Sequence, residues 1–235
     1  MIHLTGAEDV TRALDGHVYG RFSTGMMANA AGLATHDAVL WWGDTHFGRL
    51  AHGFGPDDSV RHLVAAAHDL RGPVKRTNVR RAQAQHSADA WDFRWTTSVA
   101  PPQPGQDEVV QVHDMEAVNG LLDEGFPDSS VRPGDPIVLS WYGIWAGRQL
   151  VACGADRSTR PPGSDAPPST GMIGGVAVHP AHRGRGLAAA VSAALTTRLV
   201  TSYGLCCLGV MAGNEVATRI YLRLGYHDVL PLIGL

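Results

Sequence analysis

The stretch from Gly171 to Ala188 constrains the chain more than any other. Ile173 to Val178 is a short apolar run, with glycines in front and His179-Pro180 behind, and it predicts a buried strand. A basic, glycine-rich turn follows, Arg183-Gly184-Arg185-Gly186. Leu187 to Leu199 is rich in Ala and Leu and predicts a helix. The order strand, glycine-rich turn, helix has a physical use. The first amides of a helix lack intrahelical partners, and the helix dipole adds positive charge at the same end. Glycines let a ligand approach the backbone closely. Arg183 and Arg185 add formal charge and forked donors. Together these features suit a phosphate or pyrophosphate. No Gly-Lys-Ser/Thr follows the turn, and the spacing is not Gly-x-Gly-x-x-Gly, so neither the P-loop nor the dinucleotide fingerprint is present.

Composition narrows the remaining classes. With 235 residues and 44% hydrophobic content, the chain has room for one large domain or two small ones with a real core. A net charge of −3 and no long arginine-dominated segment argue against a nucleic-acid partner. No apolar run reaches the ~18 residues of a membrane span. The start, Met-Ile-His-Leu-Thr-Gly-Ala-Glu-Asp, lacks the basic-then-apolar pattern of a signal peptide. Cys153, Cys206 and Cys207 are an odd set with two adjacent members, which suits packed thiols in a reducing cytoplasm. The 12 histidines are scattered, without His-Glu-x-x-His or a close His/Cys cluster, so no metal is expected.

Taken in order, residues 7–31 read as helical with interruptions, since Ala7, Val10, Leu14, Val18 and Phe22 recur three to four apart while Gly16, Gly20 and Gly25 intervene. Met26 to Ala30 reads as core, with a pocket lining as the alternative. Ala38–Trp42 and Phe47–Phe54 predict a hairpin; the Trp41-Trp42 pair is equally compatible with burial and with an interface. Pro56-Asp57-Asp58-Ser59 starts a helix that runs to about Leu70. In the mixed stretch Val74 to Trp95, Arg76, Arg80 and Arg81 read as a solvated face rather than an anion site. Pro101 to Gly105 is the clearest linker, which divides the chain into an N-terminal α/β lobe, 1–104, and a second domain, 105–235.

Beyond the linker, a strand at Asp107–Val112 and a helix capped by Asp114 are predicted. Paired strands follow at Ile137–Tyr142 and Gln149–Gly154. Asp156 to Thr170, rich in Pro, Ser and Gly, reads as a long mobile loop, either a flap or an insertion. After the motif helix come a strand at Leu205–Met211 and a helix at Asn214–Leu224, bounded by Asn214 and Gly225. The last predicted strand, Tyr226–Leu235, contains Pro231 and is expected at an edge or interrupted.

The motif stretch resembles the acetyl-CoA motif of the GNAT acyltransferases, Arg/Gln-x-x-Gly-x-Gly/Ala, here Arg183, Gly186 and Ala188. A second segment resembles the same family: Asn214, Ala217, Tyr221 and Gly225-Tyr226. The resemblance is specific over about 171–226 and extends to 107. It implies an α/β GNAT fold with a mixed, mostly antiparallel central sheet, and N-acyl transfer from acetyl-CoA to a primary amine of a small molecule by direct attack in a ternary complex. It implies that Val176, Ala177 and Val178 bind the pantetheine arm, and that Arg183, Gly184, Arg185, Gly186, Leu187 and Ala188 hold the pyrophosphate. Tyr221 would assist thiol departure, and Asn214 would touch the CoA arm or cap its helix. The strand lacks the glutamate that some members carry as general base; Glu108, Glu124 and Asp135 are the alternatives, beside a water chain or a neutral amine. Residues 1–104 carry no motif and compare only by fold analogy with a degenerate lobe of tandem members. The competing readings are a non-catalytic acyl-CoA sensor and a protein N-acetyltransferase.

Overall fold

The computed structural model describes residues 1–81, 87 and 89–235. The chain enters through β1 (Ile2–Thr5), α1 (Gly6–Ala13) and α2 (Val18–Gly25). An antiparallel meander follows, β2 (Ala28–Ala34), β3 (Val39–Thr45) and β4 (Gly48–Phe54). Helices α3 (Asp57–Ala66) and α4 (His68–Arg71) carry the chain back, so that β5 (Arg76–Arg80) lies parallel to β4. Strand β6 (Ala90–Thr96) completes this half. The second half repeats the order: β7 (Val110–Val112), α5 (Met115–Gly125), β8 (Ser140–Ala146), β9 (Gln149–Asp156), β10 (Gly171–Val178), α6 (Leu187–Tyr203), then β11 (Cys206–Met211) parallel to β10. Helix α7 (Glu215–Arg223) and β12 (Asp228–Gly234) end it.

The strands form one 12-stranded sheet in the order β1-β2-β3-β4-β5-β12-β6-β11-β10-β9-β8-β7. That order is symmetric about its centre, with β1 to β6 matching β7 to β12. The halves exchange their last strands: β12 pairs with β5, β6 pairs with β11, and β6 and β12 pair antiparallel in the middle.

Helices cover both faces of each half. In the second half, Ala190, Val191, Leu195 and Leu199 of α6 pack on Ile144, Ala152, Ile173 and Leu208. On the opposite face, Val118, Leu121 and Leu122 of α5 meet Trp141, Leu150 and Ala177. In the first half, Val10, Tyr19 and Phe22 pack on Trp41, Phe54 and Phe93, while Val60 and Leu63 of α3 pack on Leu33, Leu40 and Ala51. Alternation along β3 sends Trp41 to one face and Trp42 to the other, and both are buried. That resolves the tryptophan pair in favour of the core.

Several sequence expectations change. The helical reading of 7–31 fails at both ends of α2. Asp15 and Gly16 adopt positive φ (51° and 67°) and stop α1, and residues 28–34 are strand. Pro231 lies in a central strand, not at an edge. Its carbonyl accepts from Arg81 N–H (3.2 Å), so its ring nitrogen faces the same side, beyond the end of β5, and no ladder bond to β6 is lost. The stretch 156–170 is ordered at both ends, because Arg157 N–H donates to Met172 O and Thr159 N–H to Thr170 O, each at 2.8 Å, prolonging the β9–β10 ladder. Arg76 pairs with Asp89, Arg80 lies 4.5 Å over the Phe54 ring, and Arg81 pairs with Asp92 on β6, so these arginines are partnered. Within 74–95, residues 82–86 and 88 lie outside the described residues. The strand predicted at 107–112 starts late, since Gln106–Glu108 form a single 3-10 turn.

Candidate active site

Strands β10 and β11 pair only at Gly171–Ile173 with Cys206–Leu208 and then part. From Gly174 to Val178 the β11-facing edge of β10 has no strand partner, while its other edge stays on β9. A bulge between Gly174 and Ala177 causes the divergence. At its centre Gly175 has φ 58°, and a Cβ there would stand 2.8 Å from the Trp141 ring, so only glycine fits. The predicted pantetheine residues Val176, Ala177 and Val178 therefore carry backbone groups free to pair with an extended amide-bearing ligand.

The free edge leads into the turn. His179 caps the Pro180–His182 3-10 turn, its Nδ1 accepting from Ala181 N–H, and its Nε2 lies 2.8 Å from Glu124. Gly184 and Gly186 take left-handed φ of 78° and 81°, which opens the turn and starts α6 without a side-chain cap. The first turn of α6, Leu187 and Ala188 included, holds no acidic residue, so its free amides and dipole meet no competing anion. Arg185 is exposed. Arg183 reaches back and donates to Gly125 O at 2.8 Å, which ties the C-terminal end of α5 to the turn. Its part is therefore as much to fix the turn as to add charge.

Tyr221 is buried on α7, in the apolar cluster that contains Ile173, Leu208 and Val210, with Val176, Val178 and Leu187 bordering it. Burial, with a lesser contribution from Cys206, pushes its phenol up to about 12, so it is a neutral donor near pH 7. Tyr226 packs edge-on at 5.9 Å, and its hydroxyl donates to Cys206 Sγ (3.0 Å) and meets Thr196 Oγ1 (2.8 Å). Burial holds the Cys206 thiol up at about 12, an inert core group rather than a nucleophile. Asn214 caps α7, its Oδ1 accepting from Ala217 N–H at 3.1 Å. Of the candidate bases, Glu124 is engaged by His179, and Asp135 Oδ2 accepts from Arg132 N–H at 2.6 Å.

A second opening lies between the two halves, at the start of β10. Met26 and Phe47 line it from the first half; Ile137, Arg157, Thr159 and Met172 line it from the second. Sequence reasoning missed Arg157, which sits in the stretch read as a loop. Its partner in space is Gly174, 17 residues on, where a Cβ would stand 2.5 Å from Arg157 Cδ. Among the described residues no cluster of His, Cys, Asp and Glu could hold a metal, and no helix is long and apolar enough to cross a membrane.

Comparison with known proteins bears on the fold. Residues 166–230 match the family described as FR47-like protein. No curated protein matches the chain. Among solved structures, the chain is similar to a GCN5-related N-acetyltransferase from Kribbella flavida, at 17% identity, covering 97% of this chain and 94% of that one, with a TM-score of 0.53. It is similar to an acetyltransferase from the GNAT family of Colwellia psychrerythraea, at 13% identity, 100% and 99% coverage and a TM-score of 0.54. A GCN5-related N-acetyltransferase-like protein from Streptococcus suis gives 12% identity, 97% and 98% coverage and 0.52. These likenesses span both halves, so the symmetric 12-stranded sheet as a whole, and not its C-terminal half alone, has the fold of these acetyltransferase structures.

Proposed function

We propose that the chain is an N-acyltransferase that moves an acetyl group from acetyl-CoA to the amine of a small molecule in the cytoplasm. The observation that carries this reading is the unpaired edge of β10 running into the uncapped, carboxylate-free start of α6. Val176 to Val178 would pair with the pantetheine amides. The amides of 187–189, the Gly184 and Gly186 turn and Arg185 would take the pyrophosphate. The neutral amine attacks the thioester carbonyl, the C–S bond breaks, and the proton lost by the nitrogen ends on the departing sulfur as the CoA thiol, with the neutral Tyr221 hydroxyl donating to the sulfur as its charge develops. Asn214 supports the site by starting the Tyr221 helix.

In this reading the lobes 1–104 and 105–235 are unequal. The lobe 1–104 shapes the acceptor side and holds no second CoA. At its equivalent helix, α3, the first turn carries Asp57 and Asp58, which repel a pyrophosphate. Its parallel pair stays closed, since β4 ends at Phe54, one residue past its last partner on β5. Calorimetric titration of acetyl-CoA tests both points. One site per chain is expected, with affinity lowered about tenfold by Arg185→Ala, roughly one lost charge-assisted contact. No binding by folded protein sinks the reading, and two sites refute the assignment of the first lobe.

A further inference from the structure

Arg157 stands just past the end of β9, beside Gly174 and at the head of the strand that forms the cleft. It is half-buried, and its Nε is sealed from solvent without a hydrogen-bond partner. The guanidinium lies 5.9 Å from the centre of the Phe47 ring, so it bridges the two halves across the opening between them. It makes no ion pair within 4.0 Å among the described residues. The nearby carboxylates are engaged elsewhere. Asp156 accepts from Ser158 N–H (2.9 Å) and Oγ (2.6 Å), and Asp135, close enough to feel the charge, accepts from Arg132 N–H. Among the described residues, the walls of the opening carry Arg157, Arg160 and His46 and no acidic side chain.

A guanidinium placed in a narrow cleft of one sign, with a buried donor unspent, is costly unless an anion completes it. The opening lies at the start of β10, next to the Gly174–Val178 edge read above as the holder of the thioester arm. Resting on the acyl-transfer reading, we propose that Arg157 binds an anionic group of the acceptor, so that the substrate is an amine bearing a carboxylate or phosphate, of the amino-acid type. Arg157 would then be a specificity residue that anchors the acceptor at one end and directs its amine toward the strand edge. Phe47 ties this choice to the first half of the chain, which gives that half a role in acceptor selection.

The test uses matched pairs of amines with acetyl-CoA: alanine against ethylamine, leucine against isoamylamine, histidine against histamine, and phosphoethanolamine against ethanolamine. The wild type is expected to favour the anionic member of at least one pair by about 30-fold or more in kcat/KM, the effect of one buried charge-assisted pair. The pair that shows the preference names the anion. Arg157→Met should erase the difference within the pair, and Arg157→Lys should keep part of it, with acetyl-CoA affinity showing that each variant is folded. A wild type that acetylates plain amines equally well overturns the proposal and leaves acyl transfer standing. So does an Arg157→Met protein that keeps the preference. If no amine is acetylated by protein that binds acetyl-CoA, the acyl-transfer reading falls. Calorimetric binding of the same anionic amines then decides the pocket: binding lost in Arg157→Met upholds it, and no binding removes it.

Discussion

Replacement of Gly175 by alanine tests how the cleft is made. Two costs add at this position. An L side chain at φ 58° pays about 1–2 kcal/mol for the left-handed conformation. The new methyl also stands 2.8 Å from the Trp141 ring, which is buried among Val131, Leu150, Cys153 and Ala177 and has little room to move. Overpacking of that kind costs about 1–3 kcal/mol. Gly147, in the β8–β9 turn, separates the two terms: its φ is 61°, and a Cβ there meets nothing within 4 Å. Gly147→Ala should therefore lose only the conformational part. In urea unfolding, Gly175→Ala is expected to be the less stable of the two by about 1–3 kcal/mol. It should also bind acetyl-CoA more weakly, because the bulge sets the free edge of β10, whereas Gly147→Ala should bind normally. Equal stability in the two variants would show that Trp141 does not brace the bulge. Unchanged affinity in Gly175→Ala would show that the bulge does not shape the ligand edge.

Two further outcomes follow from the titrating groups. Tyr221→Phe should lower kcat on the order of 100-fold with little change in acetyl-CoA affinity, and in the wild type the phenol near 12 should impose no alkaline loss of rate below about pH 10, as a pH–rate profile will show. His52, buried against Trp41 and bonded through Nδ1 to the Tyr19 hydroxyl (2.9 Å), is held neutral because burial lowers it to about 3. Its folded value lies below its unfolded value of 6.5, so the associated stability is complete above pH 6.5 and drains as pH falls toward 3. The slope is about 1.4 kcal/mol per pH unit, and denaturation series at pH 7, 6 and 5 should lose it in His52→Phe.

The local structure around the candidate site was legible because local chemistry writes it. The glycines and arginines of 183–186, the apolar run before them and the Asn214 and Gly225 boundaries of the Tyr221 helix each act within a few residues of themselves. Pairing across the sheet is not local. Nothing in Ala90–Thr96 announces that β6 will sit on β11, and Pro231 argued against a central strand because the end of β5, which spares its missing N–H a partner, is not adjacent in sequence. Arg157 was hidden for a related reason. Its neighbours Pro161, Pro162 and Gly163 read as loop, whereas its meaning depends on Gly174 and on Phe47 far away in the chain.

The strand exchange bears on the acceptor side as well. Two lobes joined only by a linker would hinge, and a pocket between them would open and close with the hinge. Here β12 is bonded to β5 at Asn78–Arg80 and to β6 at Ala90–Trp95, so a strand of the second half is locked into the first. In the same way β6, made before the linker, is paired from Trp91 to Thr96 with β11. Separating the halves would expose these central ladders, and an unpaired buried backbone group is far costlier than a loop movement. The walls carrying Phe47 and Arg157 are thus held at a fixed spacing by the sheet itself. If the proposed acceptor is anchored there, it would pay little to organise its site, which is the condition under which one guanidinium can set both affinity and the direction of the attacking amine.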